Sequence, residues 1–192
     1  MNLSIHNIAD TQIILCTFAF SKYGDMNSER NWFVMYTAPR AEKKVAKRLE
    51  ENNIEVYLPI IEEIRQWSDR KKKVQRPLFN GYIFVRIEHN RLWEALQVQG
   101  AVKFVNFSGT HARVREEEIE AIKRIVNTGV AVEVDSSEIQ EGEKVKILGG
   151  PLQGFEGECI QKGNQDYFII RVPSIHQTVM VNVPRKFLEV IS

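Results

Sequence analysis

After Gly142 the apolar residues fall on every second position: Val145 and Ile147, then Phe168, Ile170 and Val172, then Val179, Val181 and Val183. A period of two puts these side chains on one face of a strand, which helical spacing cannot do. Glycines at 142, 149, 150, 154, 157 and 163, with Pro151, Pro173 and Pro184, cut the segment into short pieces. In a helix interior each glycine costs about 1 kcal/mol and each proline about 3 relative to alanine. Residues 141–192 therefore read as a small closed β-barrel, in the intact chain as well as in isolation.

The residues in front of this segment mix two periods. Trp32-Phe33-Val34-Met35-Tyr36 reads as a buried strand. Thr37 suits a cap and Pro39 a first helical turn, so a helix is expected from about Pro39 to Asn52. Ala38, Ala41, Val45, Ala46 and Leu49 form its apolar side, and Arg40, Lys43, Lys44, Lys47 and Arg48 crowd the rest. Strands over 54–58 and 60–67 lead to a charged hairpin tip, Ser68 to Lys73, and the chain returns through Val74–Pro77 into Leu78–Arg86. A short helix at Leu92, Trp93 and Leu96, a strand over 102–107, and a helix from Glu116 to Val126 complete the segment. The order β-α-β-β-α-β-α predicts an α+β unit over 31–127, an antiparallel sheet with flanking helices. Residues 128–140 have no helical period and hold Gly129, Asp135, Ser136 and Ser137, which reads as a linker. Residues 1–30 end in a polar stretch containing Met26, and are expected to be a disordered or loosely docked extension or an artefact of start-site assignment.

Charge divides along the same boundary. Residues 29–127 carry 19 Lys/Arg against 14 Asp/Glu, a net of +5, whereas residues 128–192 carry 6 against 9, a net of −3. Two parts with different partners are implied. Cys16 and Cys159 have no metal or disulfide spacing, and unpaired thiols suit a reducing compartment, so the expected location is the cytoplasm. The apolar run Ile13–Cys16 lacks a basic leader and a cleavage site, and no segment is long enough to span a membrane.

Two motifs then narrow the reading. Gly142 to Ile147 followed by Gly150-Pro151-Leu152-Gln153-Gly154-Phe155-Glu156-Gly157 resembles the KOW motif, in which a strand leads into a Gly-Pro-x-x-Gly-x-x-Gly loop. That resemblance implies an SH3-like barrel, with Gly150, Pro151, Gly154, Phe155 and Gly157 forming the loop. Trp32 to Thr37, the basic helix, and Pro77-Leu78-Phe79-Asn80-Gly81-Tyr82-Ile83-Phe84-Val85 resemble the NusG amino-terminal domain. Pro39 to Val45, Val56 to Pro59 and Gln66 to Val74 are similar to the UpxY subgroup, specialised NusG paralogues associated with capsular polysaccharide operons. Asn80 stands where the family usually has Pro, and Leu152 where many KOW domains have Phe.

The resemblance implies that Tyr36, Tyr82 and Phe84, with Phe104 as a weaker candidate, grip the clamp of the largest subunit of bacterial RNA polymerase. Alternation supports this in part: Tyr82 and Phe84 share one face of a strand, Ile83 and Val85 the other. Ordinary core is the bland alternative. Arg40, Lys43, Lys44 and Lys47 are implied contacts to non-template DNA, though Glu42, Glu50 and Glu51 favour a solvated face. Arg70, Lys71, Lys72 and Lys73 suit upstream DNA or polymerase, and equally an edge protected by lysines. His89, His111 and His176 are far apart and read as surface or loop residues. No catalytic motif is present, so neither an enzyme nor a cofactor is expected. The reading is a monomeric antitermination and elongation factor for long operons. Alternatives are a general elongation factor whose KOW domain couples polymerase to a termination factor or ribosomal protein, and a ribosome-associated RNA-binding protein.

Overall fold

The computed structural model describes residues 29–66, 70–107, 109–137 and 142–191. The expectations for residues 1–28 and for the hairpin turn at 67–69 lie outside the described residues. Among the described residues no helix is long and apolar enough to cross a membrane.

Strand β1 (Arg30–Thr37) is the centre of the front sheet. The chain continues through helix α1 (Glu42–Glu51), β2 (Glu55–Tyr57), β3 (Ile60–Gln66), β4 (Lys71–Pro77), β5 (Tyr82–Glu88), the short helix α2 (Leu92–Leu96) and β6 (Ala101–Phe104). A small hairpin of β7 (Asn106–Phe107) and β8 (Thr110–His111), then β9 (Arg113–Val114) and helix α3 (Glu116–Thr128), close the front part. The sheet order is β2-β5-β1-β6 with β9 alongside β1, all antiparallel. Strands β3 and β4 form a two-stranded sheet of their own.

Alternation in β1 and β5 gives this sheet two apolar faces, and both are covered. Phe33, Met35, Ile83, Val85 and Ile87 pack on Val45 and Leu49 of α1 and on Leu92 and Ala95 of α2. Trp32, Val34 and Phe84 face the other way, onto Ile119 and Ile122 of α3. Each such side chain removed from water contributes roughly 1.5–3 kcal/mol.

Three local expectations are corrected. Helix α1 starts at Glu42 and not at Pro39, because Arg40 takes a left-handed conformation (φ 60°) and breaks the approach to the helix. Thr37 ends β1 and caps nothing: it is fully buried, and its amide and hydroxyl both donate to the carbonyl of Gly81 (2.8 and 3.4 Å). Lys71–Lys73 lie on the arm of the β3–β4 hairpin, opposite Gln66, Arg65 and Ile64, and not at its tip.

Residues 128–140 are more than a linker. Gly129 ends α3 in the left-handed region (φ 65°), and β10 (Val132–Asp135) follows, paired with β14 (Gln177–Asn182) from Val132↔Val181 to Asp135↔Thr178. Hydrogen bonds from the Ser137 hydroxyl and amide, and the Lys162 ammonium 3.0 Å away, hold the Asp135 carboxyl well below the usual range and fix the end of this strand. The remaining strands are β11 (Glu143–Ile147), β12 (Glu156–Lys162), β13 (Gln165–Val172) and β15 (Leu188–Val190), in the antiparallel order β10-β14-β13-β12-β11-β15. Val132 at one edge and Leu188 at the other pack on the same cluster of Val145, Ile147, Cys159, Phe168 and Val181, so the sheet is rolled around its core. This is the small barrel that alternation predicts.

The glycine-rich loop has a packing reason. Gly154 (φ 84°) donates to the Ile147 carbonyl while Ile147 donates to the Phe155 carbonyl, both at 2.8 Å, which turns Leu152 and Phe155 into the core. At Gly157 a β-carbon would lie 2.7 Å from Cζ of Phe168. Gly157→Ala is accordingly expected to cost about 1–3 kcal/mol through overpacking, read as a lower urea midpoint. An unchanged midpoint would show that Phe168 yields freely.

Helix α3 serves both parts of the chain. Its Ile119 and Ile122 join a cluster that also contains Val172, Ile175 and Val179 of the barrel segment, while its Ile125 belongs to the barrel's own core. The guanidinium of Arg124 sits 4.0 Å from the ring centre of Phe155.

Candidate functional site

Register in the front sheet decides which aromatic residues can act together. Across β1 and β5, Trp32 opposes Arg86, Val34 opposes Phe84 and Tyr36 opposes Tyr82. Directly opposed residues in an antiparallel pair share a face, so these six form one surface.

The two ends of that surface differ. At one end α3 closes over it: Trp32 Nε1 donates to Glu116 (3.0 Å), Arg86 approaches Glu116 (3.5 Å) and Glu55 (3.6 Å), and Lys123 Nζ lies 5.6 Å from the ring centres of Trp32 and Tyr57. Burial, with the nearby Glu120 carboxylate, raises the Tyr57 phenol well above its ordinary value. Phe84 lies beneath this cover, fully buried, stacked on Tyr57 (6.1 Å between ring centres) and edge-on to Phe79 (5.9 Å).

At the other end Tyr36 and Tyr82 meet edge to face at 5.4 Å, both half-buried. Their setting is built by Gly81. It has φ 81°, which favours glycine, and a β-carbon there would lie 3.0 Å from Tyr36 Cε2. Its amide donates to Glu42 Oε1 at 2.7 Å, and Glu42 is only 7% exposed. Sequence reasoning counts Glu42 among the acids that dilute the basic helix face. It points inward instead, and holds the turn that presents the two tyrosines. The signal for this was a carboxylate in the first turn of a helix, which the helix dipole alone already explains.

Phe104 does not join this group. It pairs with Met35 across β1 and β6, on the opposite face, with 3% of its surface exposed and its ring 6.1 Å from that of Phe33.

The basic residues separate into two places. Val45, Ala46 and Leu49 turn α1 inward, leaving Lys43, Lys44 and Lys47 exposed, with Lys47 3.9 Å from Glu51. Arg40 is exposed but precedes the helix. On the hairpin, Arg70, Lys71, Lys72 and Lys73 are all exposed, and Lys73 lies 3.8 Å from Glu62. Arg76 further along β4 pairs with Glu63 at 2.7 Å. Sequence reasoning missed Leu78 and Phe79 as members of the aromatic surface, although both are almost fully buried there. It also leaves His89 and His111 apart, whereas their rings lie 5.5 Å from each other.

The chain is similar in sequence to known proteins. The family model described as transcription termination factor nusG matches residues 30–123. The transcription termination/antitermination protein NusG of Borreliella burgdorferi is 29% identical over 152 residues, covering 67% of this chain and 80% of its own length. That of Halalkalibacterium halodurans is 28% identical over 143 residues, with the same coverage. A solved structure described as domain interaction in Thermotoga maritima NusG aligns with 85% of this chain and 98% of its own, at 23% identity and a TM-score of 0.46. These relatives are transcription factors. Over residues 30–123 the chain is thus similar to the NusG family.

Proposed function

We propose that the chain binds transcribing bacterial RNA polymerase through the Tyr36–Tyr82 end of its front sheet and makes transcription of long operons more processive. The observation that carries this reading is the tyrosine pair itself, two half-buried aromatic rings held by Gly81 and Glu42 at the one end of the aromatic surface that α3 leaves open. Aromatic residues of this kind anchor interfaces because they bury large area and keep a polar edge. The clamp of the largest subunit is the proposed partner, and the cytoplasm the place. Similarity to the UpxY subgroup in Pro39–Val45, Val56–Pro59 and Gln66–Val74 favours capsular polysaccharide operons as the targets. A single-round transcription assay on a long template with a strong pause tests the reading. Added protein is expected to shorten the pause and to co-purify with core polymerase, and a protein that does neither is no such factor.

Lys43, Lys44 and Lys47 are the proposed contact to non-template DNA, with the front part's net charge of +5 as support. Replacing all three by alanine is expected to lower crosslinking to that strand and to flatten its salt dependence by up to ~2 units of slope, since each phosphate contact adds about 0.7 on a single strand. Undiminished crosslinking would return these lysines to a solvated face. Arg70 to Lys73 on the hairpin are proposed as a second, separate contact to upstream DNA or to polymerase. For the barrel, a ribosomal protein or a termination factor is the proposed class of partner.

A further inference from the structure

Ile64 is the most exposed large apolar side chain among the described residues, with 66% of its surface open. It stands on the β3–β4 hairpin, whose two strands pair with each other and, among the described residues, with no other strand. The root of the hairpin is fixed: Ile61 packs against the aromatic cluster, and the Leu78 amide donates to the Pro59 carbonyl at 2.8 Å. Farther out, Ile64, Gln66 and Lys71 to Lys73 are all exposed. Residues 60–77 carry 6 Lys/Arg against 3 Asp/Glu, so +3 of the front part's +5 sits on this one ribbon.

Register sorts these residues onto two faces. Lys73 opposes Ile64 and Lys71 opposes Gln66, so all four share a face, while Lys72 opposes Arg65 on the other. Lys71 and Lys72 pair with no carboxylate among the described residues. Glu62 lies 3.8 Å from Lys73 with both side chains mostly exposed, a contact too wet to hold the lysine. Protection of a free edge accounts for the lysines, but an exposed isoleucine beside them works against it. An apolar side chain flanked by unpaired cations fits a polyanion that also offers apolar groups. Duplex DNA does so in its major groove, where thymine 5-methyl groups lie between two rows of phosphates. That groove is about 12 Å wide and admits a two-stranded ribbon, whereas the minor groove, at about 6 Å, does not. At ~3.4 Å per residue the strands are ~24 Å long, enough to lie along the groove.

We propose that the β3–β4 hairpin binds duplex DNA as a ribbon in the major groove, with Lys71, Lys72 and Lys73 on backbone phosphates and Ile64 against the 5-methyl edge of thymine. The lysines fix the position of the ribbon, and Ile64 gives it a preference among bases. This inference rests on the reading of the hairpin as a contact to upstream DNA or to polymerase, and commits it to the duplex. It uses neither tyrosine.

The test is fluorescence anisotropy of the full chain, without polymerase, at stepped salt. The probes are a short mixed-sequence duplex, the same duplex with uracil in place of thymine, and one of its strands alone. Failure here leaves the tyrosine reading untouched, since that is read by pausing and co-purification with polymerase. The parent is expected to bind the thymine duplex several-fold more tightly than the uracil duplex, and either duplex more tightly than the strand. Replacing Lys71, Lys72 and Lys73 by alanine should flatten the salt dependence by up to ~2.7 units of slope, at about 0.9 for each phosphate contact on B-DNA. The α1 lysines are present in parent and variant alike, so this difference belongs to the hairpin. Ile64→Ser should keep the slope and bind the thymine and uracil duplexes equally. If that variant does not fold, the uracil comparison on the parent still decides the role of Ile64. The proposal is overturned by a parent that binds no duplex, that prefers the single strand, or that binds thymine and uracil duplexes alike. It is equally overturned by an unchanged salt slope in the folded lysine variant.

Discussion

Replacing Phe84 by alanine is expected to remove about 3–5 kcal/mol of folding stability, a large fraction of the roughly 5–15 kcal/mol that a domain ordinarily has. Phe84 is fully buried between two rings, Tyr57 at 6.1 Å and Phe79 at 5.9 Å, in the cluster that α3 closes with Ile119 and Ile122. Truncation leaves a cavity whose walls are held by two strands and a helix, so little collapse can offset it. Urea denaturation measures the loss directly. A loss under about 1 kcal/mol would mean that the cluster closes over the gap more easily than its packing indicates. On this account Phe84 supports the surface from below and is not itself a contact. Failure of a Phe84 variant to bind any partner would then report unfolding.

The tyrosine pair gives the opposite combination, a small effect on folding and a large one on binding. Both rings are half-buried, and their loss uncovers Gly81 without opening the core. Two aromatic anchors at about 2 kcal/mol each amount to roughly 4 kcal/mol, or about a thousandfold in affinity. Tyr36→Ala with Tyr82→Ala is therefore expected to weaken binding to core polymerase by about that factor, measured by fluorescence titration, while the urea midpoint moves little. A folded double variant that binds as tightly as the parent would make the pair an ordinary edge of the core.

What the amino-acid sequence made legible follows from periodicity. Tyr82, Phe84 and Arg86 alternate with Ile83, Val85 and Ile87, and the structure separates them onto two faces accordingly. Ile119, Ile122 and Ile125 mark the inner side of α3 in the same way, though not that the side is shared between two clusters. Pairing across the sheet was not legible. Phe104 joins Met35 and so leaves the tyrosines, because alternation fixes faces within a strand and says nothing of register between strands. Strand β10 did carry a signal in Val130, Val132 and Val134, but the run is short and Asp135, Ser136 and Ser137 behind it read as a turn. His89 and His111 meet only because the β7–β8 hairpin folds back toward the turn after β5, a tertiary fact that 21 intervening positions conceal.

The pairing of β10 with β14 also sets a tether length. With that ladder intact, only residues 129–131 join the end of α3 to the barrel sheet, which at full extension is ~10 Å of free chain. If β10 peels away from β14, the free chain runs over residues 129–142 and reaches ~48 Å. The reach of the barrel is thus stepped: four rungs of ladder separate a short leash from a long one.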